Sequence, residues 1–129
     1  MIPTELLTEL KDEYGIIPEL TGSQYICDSA PENSDWDYLL EVSSIKSEVA
    51  SIASFLVGRG FSIDAGEHYQ EAIQNTFMSF KKDKLNFLLS NNSDWCTKHR
   101  IATKLCKRLK LNNKEDRVAT FQAILYGNI

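Results

Sequence analysis

Asp35 and Asp37 are the residues of this sequence best suited to carry chemistry. Side chains two positions apart on a β-strand point to the same face, so these two carboxylates can share one divalent cation. Hard cations such as Mg²⁺ or Mn²⁺ bind oxygen ligands and commonly keep phosphate oxygens of a substrate in their coordination shell. The pair therefore predicts a metal site, with Asp35 and Asp37 as metal ligands and catalytic residues of a phosphoryl-transfer reaction.

A Gly-Ser dipeptide, Gly22-Ser23, precedes the two aspartates and is separated from them by a loop. Its backbone amides and its hydroxyl suit the phosphates of a nucleotide. Ser34, directly before Asp35, adds a second hydroxyl at the start of the strand. Gly22, Ser23 and Ser34 are therefore the candidate substrate-binding residues.

This arrangement resembles the nucleotidyltransferase superfamily, whose fold is like that of polymerase β. The resemblance rests on the order of Gly22-Ser23, a loop, Ser34-Asp35-Trp36-Asp37 and an apolar strand, and it extends over about residues 16–126. Within the superfamily the chain is similar to small phage and prokaryotic nucleotidyltransferase-like proteins, a comparison that segments 84–89 and 116–126 support. It implies that Gly22 and Ser23 hold a nucleoside triphosphate while Asp35 and Asp37 bind Mg²⁺ or Mn²⁺.

Active members of that superfamily have a third carboxylate on a neighbouring strand. This sequence has no clear counterpart of that carboxylate. The matching strand reads Lys84-Leu85-Asn86-Phe87-Leu88, and Asn86 takes the third position. A neutral amide is a weaker ligand for a hard cation than a carboxylate. Asp64 and Glu67, from an earlier segment, stay open as alternatives for the third place.

Two functions follow from the resemblance. The first is an enzyme that transfers a nucleoside monophosphate from a Mg-bound nucleoside triphosphate to a hydroxyl of a protein, an RNA or a small molecule. The alternative is a catalytically degenerate protein of the same fold, a phage accessory or host-takeover factor that binds a host protein or nucleic acid. A general nucleic-acid-binding module is disfavoured by the net charge of −4, since a phosphate backbone attracts a basic surface.

The composition is that of one soluble globular domain. The chain has 129 residues, of which 43% are hydrophobic and 25% charged, enough for one core. No apolar run approaches the roughly 20 residues that a membrane-spanning helix needs, and the acidic first segment is unlike a signal or transit peptide. We therefore expect a cytoplasmic protein without a membrane partner, in the host cytoplasm if it is phage-encoded. Three cysteines, Cys27, Cys96 and Cys106, do not indicate a disulfide framework.

Charge is distributed unevenly along the chain. Residues 1–90 contain 6 Lys or Arg against 15 Asp or Glu, whereas residues 91–129 contain 8 against 3. Four of the basic residues share one face of a predicted helix: Arg100, Lys104, Lys107 and Arg108. This face is either a surface for nucleic acid or an acidic protein, or an ordinary solvated helix face.

Hydrophobic periodicity and turn residues predict a single α+β domain, with a small sheet and helices packed on one side. The resemblance implies that the sheet is mixed and of the nucleotidyltransferase type. Residues 1–90 would carry the sheet and the site, and residues 91–129 a C-terminal helical pair. The predicted strands are 16–21, 35–42, 61–64, 76–81 and 84–89, the last two as a hairpin. The predicted helices are 4–13, 44–56, 93–109 capped by Ser93, and a final one capped by Asn112 or Asn113.

Side-chain orientation follows from the same patterns. Alternation along the strand at 35–42 places Asp35 and Asp37 on one face and Trp36 and Tyr38 on the other. In the final helix the inward-facing residues are Val118, Phe121 and Leu125. In the preceding helix one apolar stripe is predicted, made of Trp95, Ile101, Ala102, Leu105, Cys106 and Leu109. His68 and His99 are interpreted as surface or capping residues.

Overall fold

The computed structural model describes residues 3–42, 46–64 and 77–127. Its helices are α1 (Thr4–Tyr14), α2 (Gly22–Ile26), α3 (Lys46–Gly58), α4 (Ser93–Arg108) and α5 (Lys114–Tyr126). Its strands are β1 (Glu19–Thr21), β2 (Trp36–Glu41), β3 (Ser62–Asp64), β4 (Met78–Lys82) and β5 (Leu85–Ser90). The predicted α+β class is confirmed, and no helix in these three segments is long and apolar enough to cross a bilayer.

The five strands form one mixed sheet in the order β1-β2-β5-β4-β3. β2 and β5 run parallel at its centre, and every other neighbouring pair is antiparallel. β4 and β5 form the predicted hairpin, whose turn includes Asp83 at φ +54°. β1 is an edge strand and begins after Pro18, which has no N–H to donate to a ladder.

Helices cover both faces of the sheet, so the prediction that they pack on one side is wrong. The two central strands each contain a leucine pair, Leu39-Leu40 in β2 and Leu88-Leu89 in β5. Successive side chains on a strand point to opposite faces, so each pair sends one leucine to either side. Both faces are consequently apolar and both must be covered.

Each face has its own hydrophobic cluster. Leu40 and Leu89 belong to the cluster that α1 and α3 complete, with Leu10, Ile52, Leu56, Phe80 and Phe87 among its buried members. Leu39 and Leu88 belong to the cluster that α2, α4 and α5 complete, with Ile26, Trp95, Cys96, Cys106 and Phe121 among its members. The predicted alternation of β2 is confirmed, because Tyr38 packs in the first cluster and its neighbour Leu39 in the second.

Helix α4 is rotated from the predicted orientation. Ala102 and Cys106 are fully buried as expected, but Ile101, Leu105 and Leu109 are exposed by 52%, 37% and 57%. The buried face of the helix also includes Trp95, Cys96, His99 and Thr103, and the aliphatic residues one position from Ala102 and Cys106 face outward. The cap also differs from the expectation, since the Asn92 side chain, not Ser93, accepts the hydrogen bond from the Trp95 amide at 3.0 Å.

The remaining boundaries differ by a few residues. Residues 22–26 form the one-turn helix α2, within the segment 22–34 that was predicted as a loop containing at most one helical turn. Asn113 caps α5 by accepting hydrogen bonds from the amides of Glu115 and Asp116. Inside α5, Phe121 and Leu125 are buried as predicted. His68 and Glu67 lie outside the described residues, as does Thr76, the first predicted residue of the hairpin.

Candidate functional site

A cleft of about 560 Å³ lies between the α2–β2 side of the sheet and helix α5. Asp35 and Asp37 both line it, as do Gly22, Ser23 and Ser34. Asp37 is the second residue of β2, and Asp35 directly precedes the strand. The structure thus brings together all five residues that the sequence singled out in its Gly-Ser and Asp-x-Asp segments.

Gly22 packs directly against the Asp37 carboxylate. Its φ of +67° lies in the left-handed region that residues with a side chain rarely adopt. A Cβ at this position would overlap Oδ2 of Asp37 and lie 3.1 Å from its Cγ. The contact follows from the register of the antiparallel β1–β2 pair, in which Thr21 opposes Asp37. Glycine is required here both by the backbone angle and by the neighbouring carboxylate.

Asn86 lies beside Asp37 on the next strand. The parallel register pairs the two residues, and Nδ2 of Asn86 donates a hydrogen bond to Oδ1 of Asp37 at 3.0 Å. Oδ1 of Asn86 in turn accepts a hydrogen bond from the Ser79 hydroxyl at 2.6 Å. Asn86 therefore presents a donor to Asp37, and its own side-chain oxygen is engaged with Ser79 of β4.

The pKa of the Asp37 carboxyl is raised from 3.8 to about 6. Burial is the largest cause, and the charge of Asp35 adds to it. The Asn86 hydrogen bond and the positive charges of Lys81 and Lys114 act in the opposite direction. At neutral pH Asp37 is ionised, but its charge is poorly solvated, which favours a cationic partner.

The lysines of the β4–β5 hairpin differ in what they contact. Lys81 forms an ion pair with Asp35, with 3.1 Å between Nζ and Oδ2. Lys84 donates to the side chain of Asn33 at the cleft rim, at 3.3 Å. Lys82 points elsewhere and donates to the backbone oxygen of Arg59. One hairpin lysine, Lys81, is therefore placed directly at the candidate metal ligands.

The cationic wall of the cleft comes from α5, which the sequence reading did not assign to the site. Lys114 and Arg117 both line the cleft opposite the carboxylates, one turn apart at the start of the helix. Arg117 is held by hydrogen bonds to the Leu111 backbone oxygen at 3.1 Å and to the Cys27 sulfur at 3.3 Å. The Asn113 cap followed by Lys114 and Arg117 is the sequence signal that could have identified this wall.

The basic face predicted on α4 is partly used inside the fold. Arg100 pairs with Glu19 of β1 at 2.7 Å and with Glu41 of β2 at 2.5 Å. Lys107 donates to the Tyr25 backbone oxygen and lies 4.4 Å from the centre of its ring. Lys104 and Arg108 are exposed to solvent.

The alternatives for a third carboxylate find no support in the described residues. Asp64 belongs to β3, which lies three strand spacings from β2, about 14 Å by sheet geometry. No cluster of three or more His, Cys, Asp or Glu side chains suited to a metal ion exists within residues 3–42, 46–64 and 77–127. The protein thus offers two carboxylates at the cleft in this part of the chain.

Two carboxylates are enough protein ligands for a cation whose other ligands are phosphate oxygens of a substrate. Mg²⁺ is usually bound through one or two carboxylates plus substrate phosphates, and seldom by a cage made of protein alone. Asp35 and Asp37 lie in one open cleft whose other wall is cationic, so they fit a Mg-phosphate complex better than a free ion.

His99 is buried, so its interpretation as a surface or capping residue is wrong. His99 is 4% exposed and its ring packs between those of Trp95 and Phe121. Burial is the main reason that the pKa of His99 is lowered from 6.5 to about 4, with a further contribution from Arg100. Cys27, Cys96 and Cys106 are all buried free thiols.

Comparison with known proteins finds no protein-family model, no curated protein and no solved structure that matches this chain. The function must therefore be inferred from the cleft itself.

Proposed function

We propose that this protein is nucleotidyltransferase-like and binds a nucleoside triphosphate together with Mg²⁺ or Mn²⁺. The observation that carries the proposal is the direct packing of Gly22 against the Asp37 carboxylate, in a cleft whose opposite wall carries Lys114 and Arg117. A backbone without a side chain, a carboxylate pair and two cations in one cleft are complementary to a metal-bound polyphosphate.

Asp35 and Asp37 would hold the metal ion, which when bound neutralises part of the triphosphate charge. Lys114 and Arg117 would pair with phosphate oxygens from the other side. Ser23 and Ser34 line the cleft beside the carboxylates and offer hydroxyl donors.

Asn86 favours nucleotide binding over nucleotidyl transfer, and this supports the degenerate alternative. Transfer to a hydroxyl requires that the attacking oxygen be deprotonated or coordinated, for which a third carboxylate would serve. Asn86 instead directs an N–H group at Asp37 and engages its own oxygen with Ser79. We therefore propose a protein that retains the nucleotide and performs little or no transfer to a protein or RNA acceptor.

For the degenerate form, we propose that helix α4 is the surface that binds a host protein or nucleic acid. Lys104 and Arg108 are exposed on this helix, and Ile101 and Leu105 are exposed beside them. Arg100 is excluded from that surface because it ties α4 to Glu19 and Glu41. Charge reversal at Lys104 and Arg108 is the variant that would test such a partner.

Calorimetric titration with nucleoside triphosphates, with and without Mg²⁺, tests the proposed function. We expect Asp35→Asn and Asp37→Asn each to weaken metal-dependent binding by at least about tenfold, the loss of one charge-assisted interaction. Asp83→Asn is the matched control, since Asp83 lies in the β4–β5 turn and does not line the cleft. The proposal would be wrong if the wild type bound no nucleoside triphosphate. It would also be wrong if Asp35→Asn and Asp37→Asn bound the triphosphate as tightly as the wild type does.

A further inference from the structure

The cleft has an apolar end beyond its charged one. Along α5 the lining residues are Lys114, Arg117, Val118 and Phe121, which share one face of the helix. The helix rises about 10 Å from the first to the last of them, so the charged turn is followed by an apolar turn. On the sheet the same change occurs along β5, from Asn86 to Leu88 on the same strand face.

His99 lines this cleft together with Phe121, and their ring centres are 5.0 Å apart in an edge-to-face arrangement. Its Nδ1 makes no hydrogen bond, and it is the one buried side-chain nitrogen or oxygen atom of the described residues that lacks a partner. A buried polar atom without a partner is unfavourable, and native proteins tolerate few of them. Nδ1 of His99 is therefore an unused hydrogen-bonding atom in a residue that lines the cleft.

His99 also borders a second cavity, of about 280 Å³, which contains Thr21 and Thr103. The hydroxyl of Thr103 donates to the His99 backbone oxygen at 2.9 Å. The hydroxyls of Thr21 and Thr103 are bonded to each other at 2.8 Å, so the Thr21 proton is used in that bond. Neither threonine has a proton left for the imidazole, and a partner that donates to Nδ1 must come from elsewhere.

We propose that the apolar end of the cleft binds the nucleobase of the nucleotide, and that His99 Nδ1 is its hydrogen-bond partner. This inference rests on the proposed function, in which the carboxylates and Lys114 hold the triphosphate at the other end. Leu88 and Val118 are partly exposed and supply apolar contacts for a flat ring. Because Nδ1 is covered in the free protein, a base reaches it after a change of rotamer in the cleft lining.

The ionisation state of His99 is consistent with this role. Burial and the charge of Arg100 lower its pKa, so the imidazole is neutral at physiological pH. A neutral imidazole nitrogen either accepts a hydrogen bond from a base amino group or donates one to a base carbonyl, according to its tautomer. His99 is thus a specificity-determining residue, and the tautomer decides which bases it favours.

The test compares the Mg²⁺ complexes of tripolyphosphate and of ATP, GTP, CTP and UTP. Tripolyphosphate reports the charged end alone, whereas a nucleotide reports both ends. We expect at least one nucleoside triphosphate to bind more tightly than tripolyphosphate, and His99→Phe to reduce that preference about tenfold, the usual effect of one buried hydrogen bond. Affinity for tripolyphosphate should be unchanged, because His99→Phe retains an aromatic ring between Trp95 and Phe121.

Two further experiments test the nucleobase site even if His99→Phe does not fold: a second variant and a spectroscopic measurement. Val118→Phe fills the apolar end from a partly exposed position and should also abolish the preference for nucleotides. The ¹⁵N resonance of His99 Nδ1 should shift with the nucleotide and not with tripolyphosphate. Absence of tripolyphosphate binding to the wild type overturns the proposed function. Tripolyphosphate that binds as tightly as every nucleotide, or a preference that both variants retain, overturns the nucleobase site alone.

Discussion

Gly22 and Asp37 are in direct contact, with the Gly22 Cα facing Oδ2 of the carboxylate, although they belong to different elements. Gly22 begins α2 and Asp37 lies near the start of β2, and the antiparallel β1–β2 register brings them together. On the other side of the same carboxylate, Asn86 donates to Oδ1. Asp37 is thus enclosed from two directions. Burial raises the pKa of its carboxyl, and the hydrogen bond from Asn86 opposes that rise.

Gly22→Ala should destabilise the protein by about 3 kcal/mol and abolish metal-dependent nucleotide binding. The left-handed backbone accounts for about 1 kcal/mol of this, and overlap of the new Cβ with Asp37 accounts for the rest. Gly15→Ala is the matched control, since Gly15 has a φ of +68° and nothing within 4 Å of its Cβ position. Urea unfolding measures both variants. Equal losses for the two would mean that the contact with Asp37 is unimportant.

Asn86→Asp should make stability depend on Mg²⁺. Without metal, a carboxylate beside Asp37 removes a hydrogen bond and adds like-charge repulsion, so we expect a loss of about 2 kcal/mol. With millimolar Mg²⁺ most of that loss should be recovered, because three carboxylates then surround one cation. Thermal melts with and without the metal measure this, and labelled nucleoside triphosphates test for transfer to an acceptor.

Asn112→Asp is the control for that experiment, because it adds the same charge at the cleft without facing Asp37. If the Mg²⁺ response of Asn86→Asp were no larger than that of Asn112→Asp, Asn86 would not occupy the third position of a metal site.

Lys114→Glu should weaken binding of a Mg-bound nucleoside triphosphate by at least about tenfold, and less in high salt. The reversed charge stands opposite the carboxylates and repels the phosphates across the cleft. Lys110→Glu is the control, since Lys110 is exposed, precedes α5 and does not line the cleft. Titrations at two salt concentrations measure the effect. If both variants lost the same affinity, the effect of Lys114→Glu would come from the net charge of the protein and not from the position of Lys114 in the cleft.

His99 should make the protein less stable as the pH falls below 6.5. Its pKa is about 4 in the folded protein and 6.5 when exposed, so the unfolded chain takes up a proton first. The contribution of His99 to the free energy of unfolding is fully present above pH 6.5. It falls as the pH is lowered, and about 3 kcal/mol of it is lost by pH 4. Asp37 acts in the opposite sense, since its raised pKa favours the folded state at pH values below about 6.

Comparison of the wild type with His99→Phe isolates the histidine from Asp37. Urea unfolding between pH 4 and 7 should show the difference in stability between the two proteins changing by about 3 kcal/mol over that range. A difference that stays constant with pH would mean that His99 is protonated in the folded state as readily as in the unfolded one.

Local sequence patterns predicted the centre of the sheet and the carboxylate side of the cleft. Alternation in β2 is a strictly local signal, and it correctly separated Asp37 and Leu39 from Tyr38 and Leu40. The expectation for Asn86 came from the resemblance to the nucleotidyltransferase superfamily and not from a local pattern, and the register of β2 and β5 places it beside Asp37.

Other features depend on tertiary packing that no local pattern encodes. His99 is polar, and only its neighbours Trp95 and Phe121 make it an interior residue. Ile101 and Leu105 fit the apolar period of α4 as well as Ala102 and Cys106 do, and the choice between them is made by what α4 packs against. Arg100 belonged to a predicted basic surface but is held by Glu19 and Glu41, a pairing between segments far apart in sequence.

The two walls of the cleft have a practical consequence for finding its ligand. They come from residues near position 22, from the β2–β5 pair and from α5, so an occupant contacts segments that are far apart in the sequence. A ligand that binds only the folded form adds about 2.7 kcal/mol of stability at one hundred times its dissociation constant. For a chain of this size that corresponds to a rise of several degrees in melting temperature. Simple melting curves over a panel of phosphorylated compounds would therefore identify what this cleft holds.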